Sequence, residues 1–291
     1  SASSGLLLPT RAAQAADSAG VVTLHGGVSF PLVAFGLQIY DDETAYKLTL
    51  TALEVGYRNF FASILAGNQR GFARAVRNSG IPRNDLFICG SVVSNRAYGF
   101  DDAKKATTIG WQENMKAFRS GGLDYIDQIM LDYPGPDEPS IRGQWRAFEE
   151  MADQKLTRTL AVSNFSPAQL DYIVQDPAIR IKPVVNQLPY SVAYHPRTFV
   201  AENAKRDILV QAWAPLGGSL GGRFSSRMKT VCADIGKTHN NSGVQVALRW
   251  VVQNGVAVCT QTKKREHFID DRNIFDFELS QDDMATLDAL A

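Results

Sequence analysis

Short apolar segments alternate with amphipathic segments along most of this chain. Eight runs rich in Val, Ile and Leu have the length and apolar character of buried strands. They span residues 32–35, 58–61, 86–91, 125–131, 159–162, 184–187, 209–214 and 256–260. Helical periodicity occupies residues 44–53, 71–78, 106–118, 144–152, 168–174, 198–205, 227–238 and 243–252. Eight βα units in line predict a closed parallel barrel, in which functional groups lie at the carboxyl ends of the strands.

The first residues of the chain differ from this pattern. Residues 1–20 form an extension rich in small side chains, and residues 21–291 are predicted to form one barrel domain. The short segments Val21–Leu24 and Val28–Phe30 flank His25-Gly26-Gly27, which predicts a β-hairpin with a glycine turn. An open, doubly wound sheet is the structural alternative. Gly36 does not begin a G-x-G-x-x-G sequence, so the usual dinucleotide fingerprint of that fold is missing.

Composition narrows the classes of function. The chain has 30 Lys and Arg against 30 Asp and Glu, so no net charge favours nucleic acid or an anionic membrane. No apolar run approaches the roughly 18 residues of a membrane span, so a membrane-spanning protein is not predicted. Cys89, Cys232 and Cys259 have no paired or metal-ligand spacing and are expected to be reduced and buried. His195 and His239 lack partners at ligand spacing, so no metal site is predicted.

A series of motifs carries a resemblance to a known family. They are GYR at 56–58, GLDYID at 122–127, AVSNFS at 161–166, NQ at 186–187, AWAPLG at 212–217, VALRW at 246–250 and FDFELS at 275–280. In these motifs and in their order the chain resembles the aldo-keto reductases. The resemblance implies a (β/α)8 TIM barrel of the α/β class with an N-terminal β-hairpin cap. It also implies reduction of carbonyl compounds with NADPH.

The family catalyses this reaction with four side chains, and the resemblance places different residues at all four positions. Phe61 stands for the aspartate and Ala66 for the tyrosine that donates the proton, whereas Ser91 and Asp132 stand for the lysine and the histidine. No lysine occurs between positions 47 and 104, no histidine between 25 and 195, and no tyrosine between 57 and 98, so a shifted alignment does not restore the set. Because a positioned proton donor is worth about 10²–10⁴ in rate, reduction by the family's mechanism is expected to be close to abolished.

More of the cofactor site matches the family. The resemblance assigns the nicotinamide amide to three polar residues and ring stacking to Trp213. A glycine-rich loop at 216–222 has the flexible backbone that can surround a pyrophosphate. The residues expected to bind NADPH are Ser163, Asn164, Gln187, Trp213, Leu216, Gly218 and Thr262.

The part of the site that would hold the 2′-phosphate and adenine differs from the family. Gln261 and His267 stand where the family has a lysine and an arginine, and Asp270 and Asp271 add negative charge nearby. The Lys-Lys-Arg sequence at 263–265 either supplies the missing positive charge or is a solvated basic turn. NADPH affinity is therefore expected to be low, with little preference for the 2′-phosphate.

Two hypotheses for function follow from these residues. The first is a catalytically inactive barrel that serves as a binding or assembly subunit, because every catalytic position is changed. The alternative is an NADP(H)-dependent oxidoreductase that acts on a carbonyl compound with a non-standard proton donor. Ser91, Asp132, Tyr133 and Tyr190 are the polar groups expected near the mouth, with Asp132 as a base or Tyr133 as an acid, or all of them as polar rim residues.

The extension suggests a location and a partner. The chain lacks an initial methionine, and Ala13-Gln14-Ala15 resembles a processing site, which favours import into a plastid. An artificial truncation explains the missing methionine as well, and the expected location is then the cytoplasm. The apolar residues Leu6, Leu7 and Leu8 are the expected anchor, either on the barrel or on a partner protein in an assembly.

Overall fold

The structure is a computed structural model that describes residues 20–218 and 222–291. The predicted extension, including its apolar anchor and its processing site, lies outside the described residues except for Gly20. Within these ranges, eight parallel strands close into a barrel in which the last strand pairs with the first. The strands in chain order are β1 Val21–Thr23, β2 Ser29–Pro31, β3 Val33–Gly36, β4 Asn59–Ala62, β5 Phe87–Val92, β6 Ile126–Asp132, β7 Thr157–Ser163, β8 Val185–Pro189, β9 Leu209–Trp213 and β10 Ala257–Thr260.

Helices cover the outside of the barrel. They are α1 Asp42–Val55, α2 Gln69–Ser79, α3 Phe100–Gly121, α4 Glu138–Asp153, α5 Pro167–Val174, α6 Thr198–Ala204, α7 Ser226–His239, α8 Gly243–Gln253, α9 Arg265–Arg272 and α10 Gln281–Asp288. Every predicted strand overlaps a barrel strand, and the predicted α/β barrel is confirmed. The sequence pattern missed α9 and α10. The buried side chains of α9 are only Phe268 and Asp271, and that of α10 is only Leu287, so neither helix has a continuous apolar face.

The predicted hairpin is also present and covers the amino end of the barrel. β1 pairs with β2 in antiparallel register, with Val22 opposite Phe30. The Phe30 ring meets the Phe87 ring at the start of β5 edge to face, with a centroid distance of 4.8 Å. The Asn59 amide at the start of β4 donates to the Pro31 carbonyl at 2.8 Å. The hairpin thus closes the end of the barrel opposite to the carboxyl ends of the strands.

Local sequence explains where helices begin and end. Asp41 precedes α1, and its carboxylate accepts a hydrogen bond from the Thr44 amide at 2.9 Å. Gly56 ends the same helix with φ 106°, a left-handed conformation that suits a residue without a side chain. Ser166 and Gln169 form a capping box at the start of α5. These ends set the directions in which the chain enters and leaves the strands.

Large aromatic side chains fill the space between helices and strands. Trp145 and Trp250 are fully buried, and each indole donates a hydrogen bond, to the Ile181 carbonyl and the Asp288 carboxylate respectively. They are packing residues between the helices and the strands. Tyr190 stacks on Trp250 with ring centroids 5.5 Å apart and is 5% exposed. The expectation that Tyr190 belongs to the polar groups of the mouth is therefore wrong, because its ring packs against α8.

The remaining expectations about broad class concern cysteines, metals and membranes. Cys89, Cys232 and Cys259 are buried and unpaired, as predicted. In the described part of the chain, no cluster of three or more His, Cys, Asp or Glu side chains has the arrangement of a metal site. Among the helices of residues 20–218 and 222–291, none combines the length and apolar character that crossing a bilayer requires.

Candidate active site at the barrel mouth

A cavity of about 510 Å³ opens at the barrel mouth, which we define as the carboxyl ends of β3 to β10. Six barrel strands contribute to its wall through residues at or near their ends. From β4, β6, β7, β8, β9 and β10 these are Phe61, Asp132, Ser163, Gln187, Trp213 and Cys259. This is the end of a parallel barrel where loops of different strands converge and where active sites of such barrels lie.

A larger cavity of about 670 Å³ lies at the other end, between the hairpin, α6 and the start of β9. Its charged groups pair with one another at the surface. His25 Nδ1 lies 3.0 Å from Asp207 Oδ2, and both side chains are more than half exposed. Lys205 Nζ is in turn paired with Glu202. We place the candidate site at the mouth, because the carboxyl ends of the barrel strands meet there and Asp132 is a buried acid in its wall.

Hydrogen bonds hold the polar side chains of the mouth in place. The Trp213 indole donates to Asn164 Oδ1 at 3.2 Å, and Asn164 Nδ2 donates to Ser163 Oγ at 2.9 Å. Behind them, Gln187 Nε2 donates to Gln211 Oε1 at 2.9 Å. The four polar and aromatic residues predicted for the nicotinamide, Ser163, Asn164, Gln187 and Trp213, therefore line one cavity.

The backbone is strained at three strand ends of the mouth. Tyr133, Asn164 and Ala214 have φ values of 71°, 63° and 52°, and each directly follows the last residue of β6, β7 or β9. Outside glycine, the left-handed region costs about 1–2 kcal/mol per residue, although asparagine tolerates it better. The chain therefore turns sharply directly after each of these strands. Such strain persists where the surrounding structure enforces it, and it is typical of functional sites.

Asp132 is the acid of the mouth. Burial raises the pKa of its carboxyl from 3.8 to about 6, and a hydrogen bond from Ser163 opposes part of the shift. With this pKa, roughly a tenth of the carboxyl groups carry a proton at pH 7. The neighbouring Tyr133 ring is 40% exposed, and burial together with the Asp132 charge raises the pKa of its hydroxyl. Asp132 thus holds a proton closer to neutral pH than an ordinary aspartate does.

The opposite side of the mouth, around the end of β10, has a different character. The Gln261 amide donates to Gln38 Oε1 at 2.7 Å, and the Thr262 hydroxyl lies 3.3 Å from His267 Nδ1. Lys263 Nζ lies over the Tyr40 ring, 5.8 Å from its centroid. These polar side chains are engaged with one another across the turn.

Asp271 departs from what the sequence suggested. Its side chain lies on the inner face of α9, is 3% exposed, and burial raises the pKa of its carboxyl to about 6. The expectation that Asp270 and Asp271 both present negative charge to a phosphate is corrected for Asp271, because the turn of the helix points it inward. Asp270 is the partly exposed member of the pair.

The glycine-rich loop is described only in part. Leu216 and Gly218 line the cavity as expected for a pyrophosphate loop. The Gly217 amide donates to the Ala214 carbonyl and the Gly218 amide to the Gly222 carbonyl, both at 2.9 Å. Those two amides already have partners within the loop.

Comparison with known proteins decides the family. The model of the Aldo/keto reductase family matches residues 29–291. The chain belongs to this family. The glyoxal reductase of Bacillus subtilis (strain 168) is 32% identical over 278 residues, which cover 92% of this chain and 92% of the relative. The 9,11-endoperoxide prostaglandin H2 reductase of Trypanosoma cruzi (strain CL Brener) is 29% identical over 272 residues, which cover 92% and 90%.

A solved aldo/keto reductase structure from Brucella melitensis superposes with a TM-score of 0.81 at 26% identity, and covers 93% of this chain and 99% of that one. The similarity therefore spans the whole barrel. Both relatives named above are reductases, which favours the oxidoreductase hypothesis over the inactive subunit.

Within this aldo-keto reductase, the four positions assigned to catalysis lie in different surroundings. Phe61 is buried and its ring lines the cavity. Ala66 lies in the loop after β4, outside the residues that line the cavity. Ser91 is fully buried, and its hydroxyl accepts a hydrogen bond from the Ile64 amide at 3.3 Å. Of the four, Asp132 is the one that presents an ionisable group to the mouth.

Sequence reasoning missed part of the site. Gln211, which holds Gln187, lies two residues before Trp213 on β9 and so faces the same side of the strand. The alternation of side chains along a strand was a signal that could have found it. Gln38 joins Gln261 from a point 223 residues away in the chain, and no local pattern announces that pair.

Proposed function

We propose that this aldo-keto reductase binds a nicotinamide dinucleotide at the barrel mouth and reduces an uncharged carbonyl compound, with Asp132 as the proton donor. The proposal rests on one observation. Asp132, an acid with a raised pKa, shares a cavity with Ser163, Asn164, Gln187 and Trp213. When bound, a reduced nicotinamide supplies hydride to a carbonyl carbon, and the chain has to supply the proton for the oxygen.

The donor set fits the nicotinamide end of such a cofactor. A carboxamide needs both acceptors and donors, and the hydroxyl and amide side chains of Ser163, Asn164 and Gln187 offer both. The half-buried Trp213 provides an aromatic face beside them. The fit is poorer at the phosphate end, where Gln261 is already paired with Gln38. These residues favour a nicotinamide over a specific grip on a 2′-phosphate.

Asp132 meets the requirements of a general acid. It lies in the cavity wall, and its protonated form is present near neutral pH because burial raises the pKa of the carboxyl to about 6. An acid donates most effectively when its pKa lies close to the working pH. Tyr133 holds its proton more tightly, because its pKa is raised as well.

The rim of the cavity indicates the class of substrate. Ile39, Leu65, Tyr133 and Leu216 line the cavity and are 69%, 67%, 40% and 37% exposed. None of the described lining residues is a lysine, an arginine or a histidine. An apolar carbonyl compound without a negative charge suits this surface, because a carboxylate would meet Asp132 and no cation.

A second candidate is a non-catalytic binding subunit. The observation that favours it is that Phe61, Ala66 and Ser91 supply no ionisable group. A barrel of this kind retains the cavity for binding without turning over a substrate.

One experiment separates the two. The protein is titrated with NADH and NADPH while the tryptophan fluorescence is followed, and the oxidation of either nucleotide is then measured with 4-methylbenzaldehyde and with 4-carboxybenzaldehyde. We expect both nucleotides to bind, and the neutral aldehyde to be reduced with a kcat/KM more than about tenfold above that of the carboxylated one, roughly 1.4 kcal/mol.

The matched control variant is Asp132→Asn, which keeps the size of the side chain but cannot act as the acid. It should bind the nucleotides and fail to reduce the aldehyde. Binding without turnover in the unmodified protein supports the subunit instead, and absence of binding removes the oxidoreductase proposal.

A further inference from the structure

We propose that Ser163 controls the protonation of Asp132, so that filling the nicotinamide site transfers a proton from solvent to Asp132. This inference rests on the proposed function, because it needs a nicotinamide in the mouth. It assigns Ser163 a role as a positioning residue in addition to its expected contact with the carboxamide.

Strand register brings the two residues together. Asp132 is the last residue of β6 and Ser163 the last of β7, and they are direct partners in the parallel pairing of these strands. Side chains at paired positions of neighbouring strands lie on the same side of the sheet, and both residues line the mouth cavity. A serine hydroxyl is thus placed beside the carboxylate.

The hydrogen bonds around Ser163 determine where its proton goes. Its oxygen accepts from Asn164 Nδ2 at 2.9 Å, and Asn164 is itself held by the Trp213 indole at 3.2 Å. The hydroxyl proton is therefore available to Asp132, and a hydrogen bond from Ser163 lowers the pKa of that carboxyl against the effect of burial. A donor of this kind stabilises the charged form of an acid.

No other described group offsets the charge of Asp132. The titratable side chains that interact with it are Cys89 on β5 and Tyr133 beside it in the chain, and the pKa of each is raised, so both are neutral near pH 7. Phe61 on β4 and Gln187 on β8 bring no charge to the cavity. Ser163 is consequently the polar contact on which the carboxylate depends.

A carboxamide in the site removes both supports of the carboxylate. It competes for the Ser163 hydroxyl and for Asn164, whose groups are the donors and acceptors that an amide requires. It also covers the cavity and displaces the water that solvates the charge. Both effects raise the pKa of Asp132 above about 6, its value in the free protein, so the bound state takes up a proton.

The sign of the linkage follows. Affinity for the nucleotide rises as the pH falls from above the pKa of the complex to that of the free protein, by at most about tenfold per pH unit for one proton. At pH values below both pKa values the gain in affinity is complete. At pH values above both there is no gain. At pH values between the two, binding of the nucleotide protonates Asp132.

Calorimetry on the full chain at pH 7 tests this directly. NADH is titrated in phosphate and in Tris, whose ionisation enthalpies differ, so that the difference in heat counts protons. NADH is the first probe because a 2′-phosphate carries a group with a pKa near about 6 and could exchange protons itself. We expect uptake of about half a proton or more per NADH bound.

Two variants make the result specific. Asp132→Asn should bind NADH with no uptake, and its NADPH titration serves as the reference to subtract for that nucleotide. Ser163→Ala should raise the carboxyl pKa of Asp132 in the free protein, measured by carbon NMR, and reduce the uptake, whereas Ser163→Thr retains the hydroxyl and should retain both values.

The possible failures are distinct. Binding heat with no proton uptake in the unmodified protein overturns this inference and leaves the proposed function standing. An unchanged Asp132 pKa in Ser163→Ala also overturns it. Absence of binding heat with either nucleotide overturns the proposed function and this inference together.

Discussion

The two sides of the barrel mouth differ in whether their polar side chains face the cavity or bond to one another. On the side of β6 to β9, Asp132, Ser163, Asn164 and Trp213 lie around the cavity, and hydrogen bonds connect Trp213 to Asn164 and Asn164 to Ser163. On the side of β10, Gln261 is bonded to Gln38, and Thr262 lies beside His267, so these groups are occupied with each other. The strained turns after β6, β7 and β9 are all on the first side.

This difference separates two tasks that a dinucleotide site combines. Orienting a reactive ring requires a few rigid groups at fixed positions, and the first side has them. Attracting a phosphate requires positive charge, and on the second side the neutral Gln261 stands where the resemblance implies a lysine, with the basic residues 263–265 beside it. A chain can therefore keep the chemistry of a cofactor site while weakening its hold on the cofactor.

The largest effect is expected from Asp132→Asn. Removing the acid should lower kcat/KM for a neutral aldehyde by about a hundredfold or more, because a general acid contributes about 10²–10⁴. The dissociation constant of NADH at pH 5, below the Asp132 pKa of about 6, should change little, because the asparagine side chain resembles the protonated acid. Steady-state rates and fluorescence titration measure the two quantities.

Phe61→Leu is the control for that variant, since the side chain it changes lines the same cavity but carries no proton. Its rate should stay within a few fold of the unmodified protein. A rate for Asp132→Asn equal to that of Phe61→Leu would mean that the proton comes from another group.

The next effect concerns pH. An acid must be protonated to donate, so kcat/KM should be highest below the Asp132 pKa of about 6 and fall as the pH rises through it. For a single group, the fall between pH 6 and 8 is about fiftyfold. A profile that stays flat across this range rules out Asp132 as the donor, and Tyr133→Phe should leave the profile unshifted.

A smaller effect tests the side of β10. Gln261→Lys should favour NADPH over NADH by about 1 kcal/mol or less, roughly fivefold, because an exposed ion pair is screened by water. Calorimetry with both nucleotides measures the ratio. Gln38→Ala, which frees Gln261 without adding charge, should leave it unchanged.

The unmodified protein should bind NADPH and NADH with similar constants. A preference for NADPH above about tenfold, or 1.4 kcal/mol, would indicate that the basic residues at 263–265 take the place of the missing cation.

The smallest effect concerns the strained turns. Ala214 has φ 52°, and Ala214→Gly should raise the free energy of unfolding by about 0.5–1 kcal/mol, because glycine adopts this conformation without steric cost. Thermal unfolding measures the change. The matched variant Ala212→Gly, in a fully buried part of β9, should be destabilising instead.

The barrel could be predicted from the sequence because its strands are buried on both faces and so appear as continuous apolar runs. The residues of the nicotinamide side could be found because they follow strand ends within short motifs such as AVSNFS at 161–166. These features depend on residues that are near one another in the chain.

What could not be predicted depends on distant residues. The raised pKa of Asp132 arises from burial by neighbouring strands, which the sequence does not display. Tyr190 is withdrawn from the mouth by Trp250, which lies 60 positions later. The inward position of Asp271 could not be predicted, because α9 has few apolar residues to show which side of the helix is buried. The proposed NADPH residues and the predicted plastid location stay predictions.

Closure of the barrel by β10 also has a consequence during synthesis of the chain. β10 pairs with β3 through Val258 and Val33, and with β9 through Val258 and Ala212, so it fills the last gap in the sheet. Until residues 257–260 leave the ribosome, β3 and β9 expose unpaired edges that can join other chains. Nascent chains that stop before β10 should therefore aggregate and require a chaperone, whereas chains that extend beyond it should not.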